Sequence, residues 1–259
     1  MVTTSLANER VRYARALYRE RVRTREQRFV IEGTRSVAEA LRAGVRPVLA
    51  FYTGRVRTLE QGEALLARLR QAAECLIEVT PEVMASMAQT VTPQGVLAVV
   101  SMPRLPWPAH GLVVILDSLR DPGNVGTIMR AAWAAGAAGL ATTRGTVDPF
   151  APKVVRAAMG AHWGLPLQAG LDAGALAGLV NGRLAVLAAQ DGRPYWQIDW
   201  RGDTALIIGG EARGAEVAGV LAQVRAAIPM APGVESLNAA LAAAVLLFEA
   251  ARQRGVGVT

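Results

Sequence analysis

Residues Leu112-Val-Val-Ile-Leu-Asp117 form an unbroken apolar run closed by a single carboxylate. A strand without polar alternation has no face to give to water, so it demands a sheet covered on both sides. That requirement points to an open α/β architecture with a mostly parallel sheet. The following residues fit: the spacing predicts a helix from about Val125 to Ala135, ended by Gly136. Further strands are expected at 138–142, 184–189 and 205–208, and helices at 152–161, 173–180, 214–223 and about 237–253.

The segment from Ser101 to His110 carries Pro103, Pro106 and Pro108. Proline lacks an amide donor and biases its predecessor toward extended backbone, so this stretch reads as a linker. It divides the chain into residues 1–100, a linker at 101–110, and residues 111–259. Before the linker, a charged helix is expected from Leu6 to Arg25, then a strand at Phe29–Ile31 and a helix from Thr34 to Ala43. Strand, helix and strand follow at Val48–Tyr52, Leu59–Ala73 and Leu76–Val79. Thr80-Pro81 opens another helix, with Thr80 as N-cap and Pro81 in the first turn, and Val96–Val100 closes the set. Together these make a small α/β sandwich.

With 259 residues, 52% of them apolar, the chain can bury two cores without a metal or disulfide staple. Its longest apolar run, Ala239 to Phe248, stops at Glu249, far short of the roughly 20 residues of a membrane span. No secretory signal opens the sequence. Cys75 is alone and reads as a core filler. A cytoplasmic protein with no membrane partner is the expectation.

Charge says more. The net charge is +7, and 27 of the 28 basic residues are arginine, Lys153 being the exception. Residues 1–28 alone hold eight arginines against three glutamates. A basic front end on a near-neutral body points to a polyanion, and the planar guanidinium suits nucleic acid better than a membrane surface. The plain alternative is a solvated arginine-rich helix.

Three loops leave a strand and enter a helix, where open α/β sheets bind ligands. The first runs from Asp117 to Arg130. Pro122, Gly123 and Gly126 shape its turn, and Asn124 is a candidate N-cap. It reads equally as an ordinary capped helix with a surface arginine. The second, Leu206 to Gly214, places Gly209 and Gly210 after a buried strand with Glu211 at the bend. The third, Ile228 to Asn238, precedes the last helix, which Ser236 or Asn238 can cap. Neither a P-loop nor a GxGxxG pattern is present, nothing has metal-ligand spacing, and two histidines leave little material for a triad. Asp117 and Asp121 form a conceivable carboxylate pair, though Asp121-Pro122 is more simply a turn.

Taken together, the loops resemble the SpoU/TrmH family of S-adenosylmethionine-dependent RNA ribose methyltransferases. Asn124, Gly126 and Arg130 match its first motif. Gly209, Glu211 and Gly214 match the second, and Ile228-Pro229-Met230 with Ser236-Leu237-Asn238 the third. Lys153, Arg156 and Met159-Gly160 look like the segment between the first two. Ala158 stands where the family usually has serine, and Gly210 where it often has asparagine. Phe29-Val-Ile-Glu-Gly33 and Val37 to Leu41 are similar to the family's ribosomal-protein-like substrate-binding domain. The resemblance implies a trefoil-knotted methyltransferase domain and a homodimer formed through it. Gly209, Ile228, Met230 and Leu237 would then contact S-adenosylmethionine. Asn124, Arg130, Glu211, Ser236 and Asn238 would form the reaction centre.

The implied reaction is 2′-O-methylation of RNA, with large-subunit ribosomal RNA favoured by the extra amino-terminal domain. Arg10, Arg12, Arg21, Arg23, Arg25, Arg28, Lys153 and Arg156 are the expected RNA contacts, and deleting residues 1–28 is expected to flatten the salt dependence of binding. Arg130 would clamp a phosphate, and the phosphate, or Arg130 in a strongly perturbed state, would receive the ribose proton. Rival readings are a transfer-RNA enzyme, an antibiotic-resistance ribosomal-RNA enzyme, a non-catalytic assembly factor and a small-molecule α/β enzyme.

Overall fold

The computed structural model describes residues 2–210 and 214–257. It divides into two compact units: Met1–Pro103 with Phe150–Arg156, and Arg104–Pro149 with Ala157–Thr259. The cut at Pro103 falls in the proline-rich segment, and the short stretch 150–156 groups with the first unit.

The first unit begins with α1 (Glu9–Ala16) and α2 (Glu20–Glu26), followed by β1 (Arg28–Glu32) and α3 (Thr34–Arg42). Then come β2 (Leu49–Tyr52), a 3₁₀ turn at Gly54–Thr58, α4 (Gly62–Ala72), β3 (Leu76–Glu78), α5 (Pro81–Met87) and β4 (Val96–Ser101). The sheet order is β1-β4-β2-β3, antiparallel except for the β2–β3 pair. The single helix expected over Leu6–Arg25 is in fact two. The break turns Leu17 wholly into the core and lets Tyr18 donate its hydroxyl to the Met87 carbonyl at 2.6 Å. Arg23 supplies the missing donors, reaching the Leu17 and Tyr18 carbonyls at 3.0 and 2.8 Å. Asn8 caps α1 and Thr80 caps α5, the latter with Pro81 in the first turn as expected.

The second unit runs β5 (Leu112–Asp117), α6 (Pro122–Ala134), β6 (Gly139–Thr143), α7 (Pro152–Ala158, most of which groups with the first unit) and β7 (Leu167–Leu171). It continues with α8 (Ala173–Val180), β8 (Leu184–Pro194), β9 (Thr204–Gly209), β10 (Val224–Ala227) and α9 (Ala239–Gln253). All six strands are parallel, in the order β10-β8-β9-β5-β6-β7. From Leu112 to Leu116, β5 is buried, as its unbroken apolar run requires. Each of those side chains contributes about 1.5–3 kcal/mol of gross burial energy.

Two expectations for this unit need correction. Asn124 does not cap α6: the helix starts earlier, at Pro122, and the Asp121 carboxylate is the cap, accepting from the Asn124 amide at 2.7 Å. No helix occupies 214–223 among the described residues, which hold only a 3₁₀ turn at Gly219–Leu221. Strands β7 and β10 were not anticipated. They are the two edges of the sheet, half-exposed and short, so they lack the apolar run that marks an inner strand.

His162 is wholly buried, with Nε2 2.9 Å from the Pro149 carbonyl oxygen. Burial pushes its pKa down to about 4, against partial compensation from that carbonyl and from Asp148. The unfolded chain therefore binds one more proton than the folded one between pH 6.5 and about 4. Stability from this group is present above the unfolded pKa and drains away as pH falls through that window, at up to about 1.4 kcal/mol per pH unit. Thermal melts of wild type and His162→Gln across this range should show a shallower acid decline in the variant. Equal slopes would mean that His162 does not govern the decline.

Candidate active site

The carboxyl ends of β5 and β9 lie side by side, with Asp117 paired to Gly209 in register. Asp117 is fully buried and its carboxylate is saturated with donors. Oδ1 accepts from the Ser118 and Thr143 hydroxyls at 3.1 and 3.0 Å. Oδ2 accepts from the backbone amides of Val217 and Ala218, each at 2.7 Å. This explains why no helix forms at 214–223: two of the amides a helix would use are tied to a carboxylate. It also removes Asp117 from any carboxylate dyad with Asp121, whose side chain caps α6.

Backbone meets backbone beside this anchor. A Cβ on Gly209 would lie 2.4 Å from the Ala215 nitrogen, and one on Gly210 would lie 2.5 Å from the Ser118 carbonyl oxygen. Any side chain at position 210 would have to displace the Ser118 carbonyl. Gly214 takes a left-handed φ of 65°. Glu211 lies outside the described residues.

The loops enclose a cavity of about 620 Å³. Gly209, Gly210, Gly214 and Gly219 form one wall, Leu187 to Asp191 of β8 another, and Ile228, Met230, Ser236 and Leu237 a third. All four residues expected to hold a cofactor therefore line one space, together with Ser236. A neighbouring cleft of about 630 Å³ shares Gln190, Ile228 and Met230. Gln190 donates to the Glu235 carbonyl at 2.7 Å, tying β8 to the exposed segment 231–238. The role of β8 was not legible in its residues, because it follows from strand order.

Asn238 caps α9, accepting from the Ala240 amide at 2.9 Å, and donates through Nδ2 to Asn124 Oδ1 at 3.0 Å. The first and third loops are thus joined side chain to side chain. Arg130 stands apart on the solvent side of α6, exposed and without a hydrogen bond to any described residue. Ala158 is buried.

On the first unit, Arg10, Arg12, Arg21 and Arg25 are exposed, Arg25 beside Glu26 at 2.8 Å. Arg15 and Arg19, which the expected set omitted, are exposed too; Arg12 and Arg15 share one face of α1 at helical spacing. Lys153 is exposed, and Arg156 is half-buried. Arg28 is half-buried and donates to the Tyr13 hydroxyl at 3.1 Å. Arg23 is corrected: it is 3% exposed and serves the carbonyls of the α1–α2 turn, so it has no face to offer a phosphate.

A parallel α/β unit with a glycine-lined cavity at its strand ends, carried in one chain with a small arginine-rich unit, defines a ligand-binding α/β protein with an appended basic domain. Residues 111–248 match the SpoU rRNA Methylase family, and residues 8–98 match the MRM3-like substrate binding domain. The chain belongs to the SpoU rRNA methylase family. An uncharacterised tRNA/rRNA methyltransferase of Synechocystis is 35% identical, the match covering 99% of this chain and 95% of that protein. The 23S rRNA (guanosine(2553)-2′-O)-methyltransferase RlmP of Bacillus subtilis is 31% identical, covering 94% of this chain and 96% of that one. The crystal structure of the SpoU methyltransferase AviRb from Streptomyces viridochromogenes, in complex with AdoMet, superposes with a TM-score of 0.85. It is 31% identical and covers 96% of this chain and 99% of that one.

Gly209→Ala tests the close approach. Its Cβ would meet backbone rather than a flexible side chain, so the variant should lose about 2 kcal/mol and melt about 4–8 °C lower. Gly178→Ala, in α8 with open space around it, should be neutral or slightly stabilising. Equal melting temperatures for both variants would contradict the packing described.

Proposed function

We propose that this chain transfers a methyl group from S-adenosylmethionine to a ribose 2′-hydroxyl of large-subunit ribosomal RNA. The observation that carries this is the glycine-walled cavity beside the Asn124–Asn238 pair at the ends of β5 and β9. The cavity volume of about 620 Å³ lies in the range of small-molecule sites, and four glycines line it. Gly209, Ile228, Met230 and Leu237 would hold the cofactor there.

When bound, S-adenosylmethionine supplies a methyl already activated on a sulfonium. The protein's share is to align the ribose oxygen and let its proton leave. Asn238 is fixed by its own cap and fixes Asn124, so both amides are pre-oriented. Arg130, with no described partner, clamps the adjacent RNA phosphate and holds the hydroxyl in line. The phosphate receives the proton, since a charged guanidinium has no lone pair to take it. Ser236 orients the ribose from the cavity wall.

The first unit selects the RNA, its exposed arginines meeting phosphates and its fold reading shape. The carboxy-terminal domain is read as knotted and paired with a second copy. The family resemblance supports the first, and the exposed Leu241 and Phe248 on one face of α9 support the second. Such an enzyme works in the cytoplasm, where its RNA is made; no helix among the described residues is long and apolar enough to cross a membrane.

Labelled methyl transfer to unmodified total RNA, followed by nuclease mapping, tests the reaction. Label should enter one 2′-O-methylated nucleotide of large-subunit RNA. Arg130→Ala should cost about 100-fold in turnover and Arg130→Lys about 10-fold, since lysine cannot make the forked contact. Label in transfer RNA would change the substrate, and wild-type turnover in Arg130→Lys would remove the clamp.

Deleting residues 1–28 is the wrong probe of RNA binding, because Val11, Ala14 and Leu17 belong to the core of the first unit. The triple variant Arg10→Gln, Arg12→Gln, Arg21→Gln keeps that core. Its log–log salt slope for RNA binding should shrink by roughly 0.7–0.9 for each phosphate left without its arginine, about 2 in all. An unchanged slope would mark these arginines as solubilising only.

A further inference from the structure

We infer that Asp117 is a positioning residue for the cofactor cavity, acting through the turn that leads into Gly219. The inference rests on the reading of that cavity as the S-adenosylmethionine site. Asp117 touches neither the cavity nor the proposed reacting groups, since it is not among the lining residues and is wholly buried. What it touches is the backbone of the wall. Its Oδ2 takes both the Val217 and Ala218 amides at 2.7 Å, and these two residues lie between the lining residues Ala215 and Gly219. Its Oδ1 is held from the other side by Thr143 at the end of β6 and by Ser118.

The path of the chain shows why an anchor is needed. From Gly210 to Gly214 the backbone closes on itself through two hydrogen bonds of 3.0 and 2.9 Å. Beyond Gly214 it enters neither helix nor strand until the 3₁₀ turn at Gly219. Of the wall between these points, the Val217 and Ala218 amides are bonded to a side chain from the sheet. A carboxylate is suited to this, since each oxygen has two lone pairs and none of its contacts requires it to donate. Ser118 adds a second sign of local constraint. It holds a left-handed φ of 61°, and its carbonyl lies against Gly210.

Asp117→Asn keeps the shape but removes the charge, so the Val217 and Ala218 amides face a neutral carbonyl and the Ser118 and Thr143 hydroxyls must turn to accept from its NH₂. Binding of S-adenosylhomocysteine, the product without the sulfonium charge, should be followed by calorimetry on the full chain well below its unfolding transition. Affinity should fall about 10-fold or more, and the KM for S-adenosylmethionine should rise in step. The kcat at saturating cofactor should stay within about threefold of wild type, because the proposed reacting groups are untouched. Thr143→Val removes one hydroxyl donor and serves as the milder variant, with affinity reduced about threefold in the same direction. If Asp117→Asn does not fold, Thr143→Val decides alone.

Wild-type affinity in the variants alongside a lowered melting temperature would make Asp117 a stability residue only, as would a fall in kcat with KM unchanged. Wild-type protein that binds neither cofactor nor product would instead overturn the reading of the cavity, and this inference with it.

Discussion

A parallel sheet delivers every strand end to the same edge, and the order of the strands decides which loops meet there. Here β9 lies between β8 and β5, although β6, β7 and β8 all intervene in the chain before Gly209 comes into register with Asp117. All three motif loops are brought together by that adjacency. The consequence is crowding: a chain leaving Gly209 has backbone of residues 214–215 directly against it. Glycine is the only residue that fits such a contact, and a buried carboxylate can hold the next turn when no helix is available to do it.

Arginine serves two purposes in this chain, and burial separates them. On the first unit Arg23 is used internally, closing the carbonyls of a turn that lets Leu17 and Tyr18 enter the core. Arg10, Arg12, Arg15, Arg19 and Arg21 stay in solvent, and neither hydrogen bonds nor ion pairs to described residues occupy their guanidinium groups. Exposed pairs such as Arg25–Glu26 and Arg57–Glu63 add little to stability, since water screens them. An excess of uncommitted guanidinium therefore contributes little to folding and supports the proposed RNA-binding role of this unit.

Much of this was legible in the residues, where local chemistry decides the outcome. The β5 run, the Thr80-Pro81 cap and the approximate spans of α3, α8 and α9 are set by burial, capping and periodicity within a few residues of chain. What the residues could not convey was set by distant partners. A helix over 214–223 has the right composition, but Asp117, a hundred residues earlier, claims its amides. Asn124 has the chemistry of a cap, yet Asp121 is better placed, which leaves the Asn124 side chain for Asn238. Arg23 sits in a row of arginines and is the one the core needs. The resemblance brought the motif loops together before any distance was known, and it carried no information about the Asp117 network.

The chemistry available at the site narrows how such a reaction can run. Neither histidine lines the cavity. His110 precedes β5, at the opposite edge of the sheet, with Nδ1 2.8 Å from the Asp203 carboxylate. His162 is buried under Pro149 and held neutral. The Asp117 carboxylate already accepts four hydrogen bonds, and an arginine with its pKa above about 12 is a poor base unaided. A reaction that needed a strong protein base would find none of these in place. A transfer whose electrophile arrives already activated needs less: an oxygen held in line, and a nearby phosphate to take the proton. The residues that hold backbone and amides still, namely Asp117, Gly209 and the Asn124–Asn238 pair, are what a reaction governed by alignment requires.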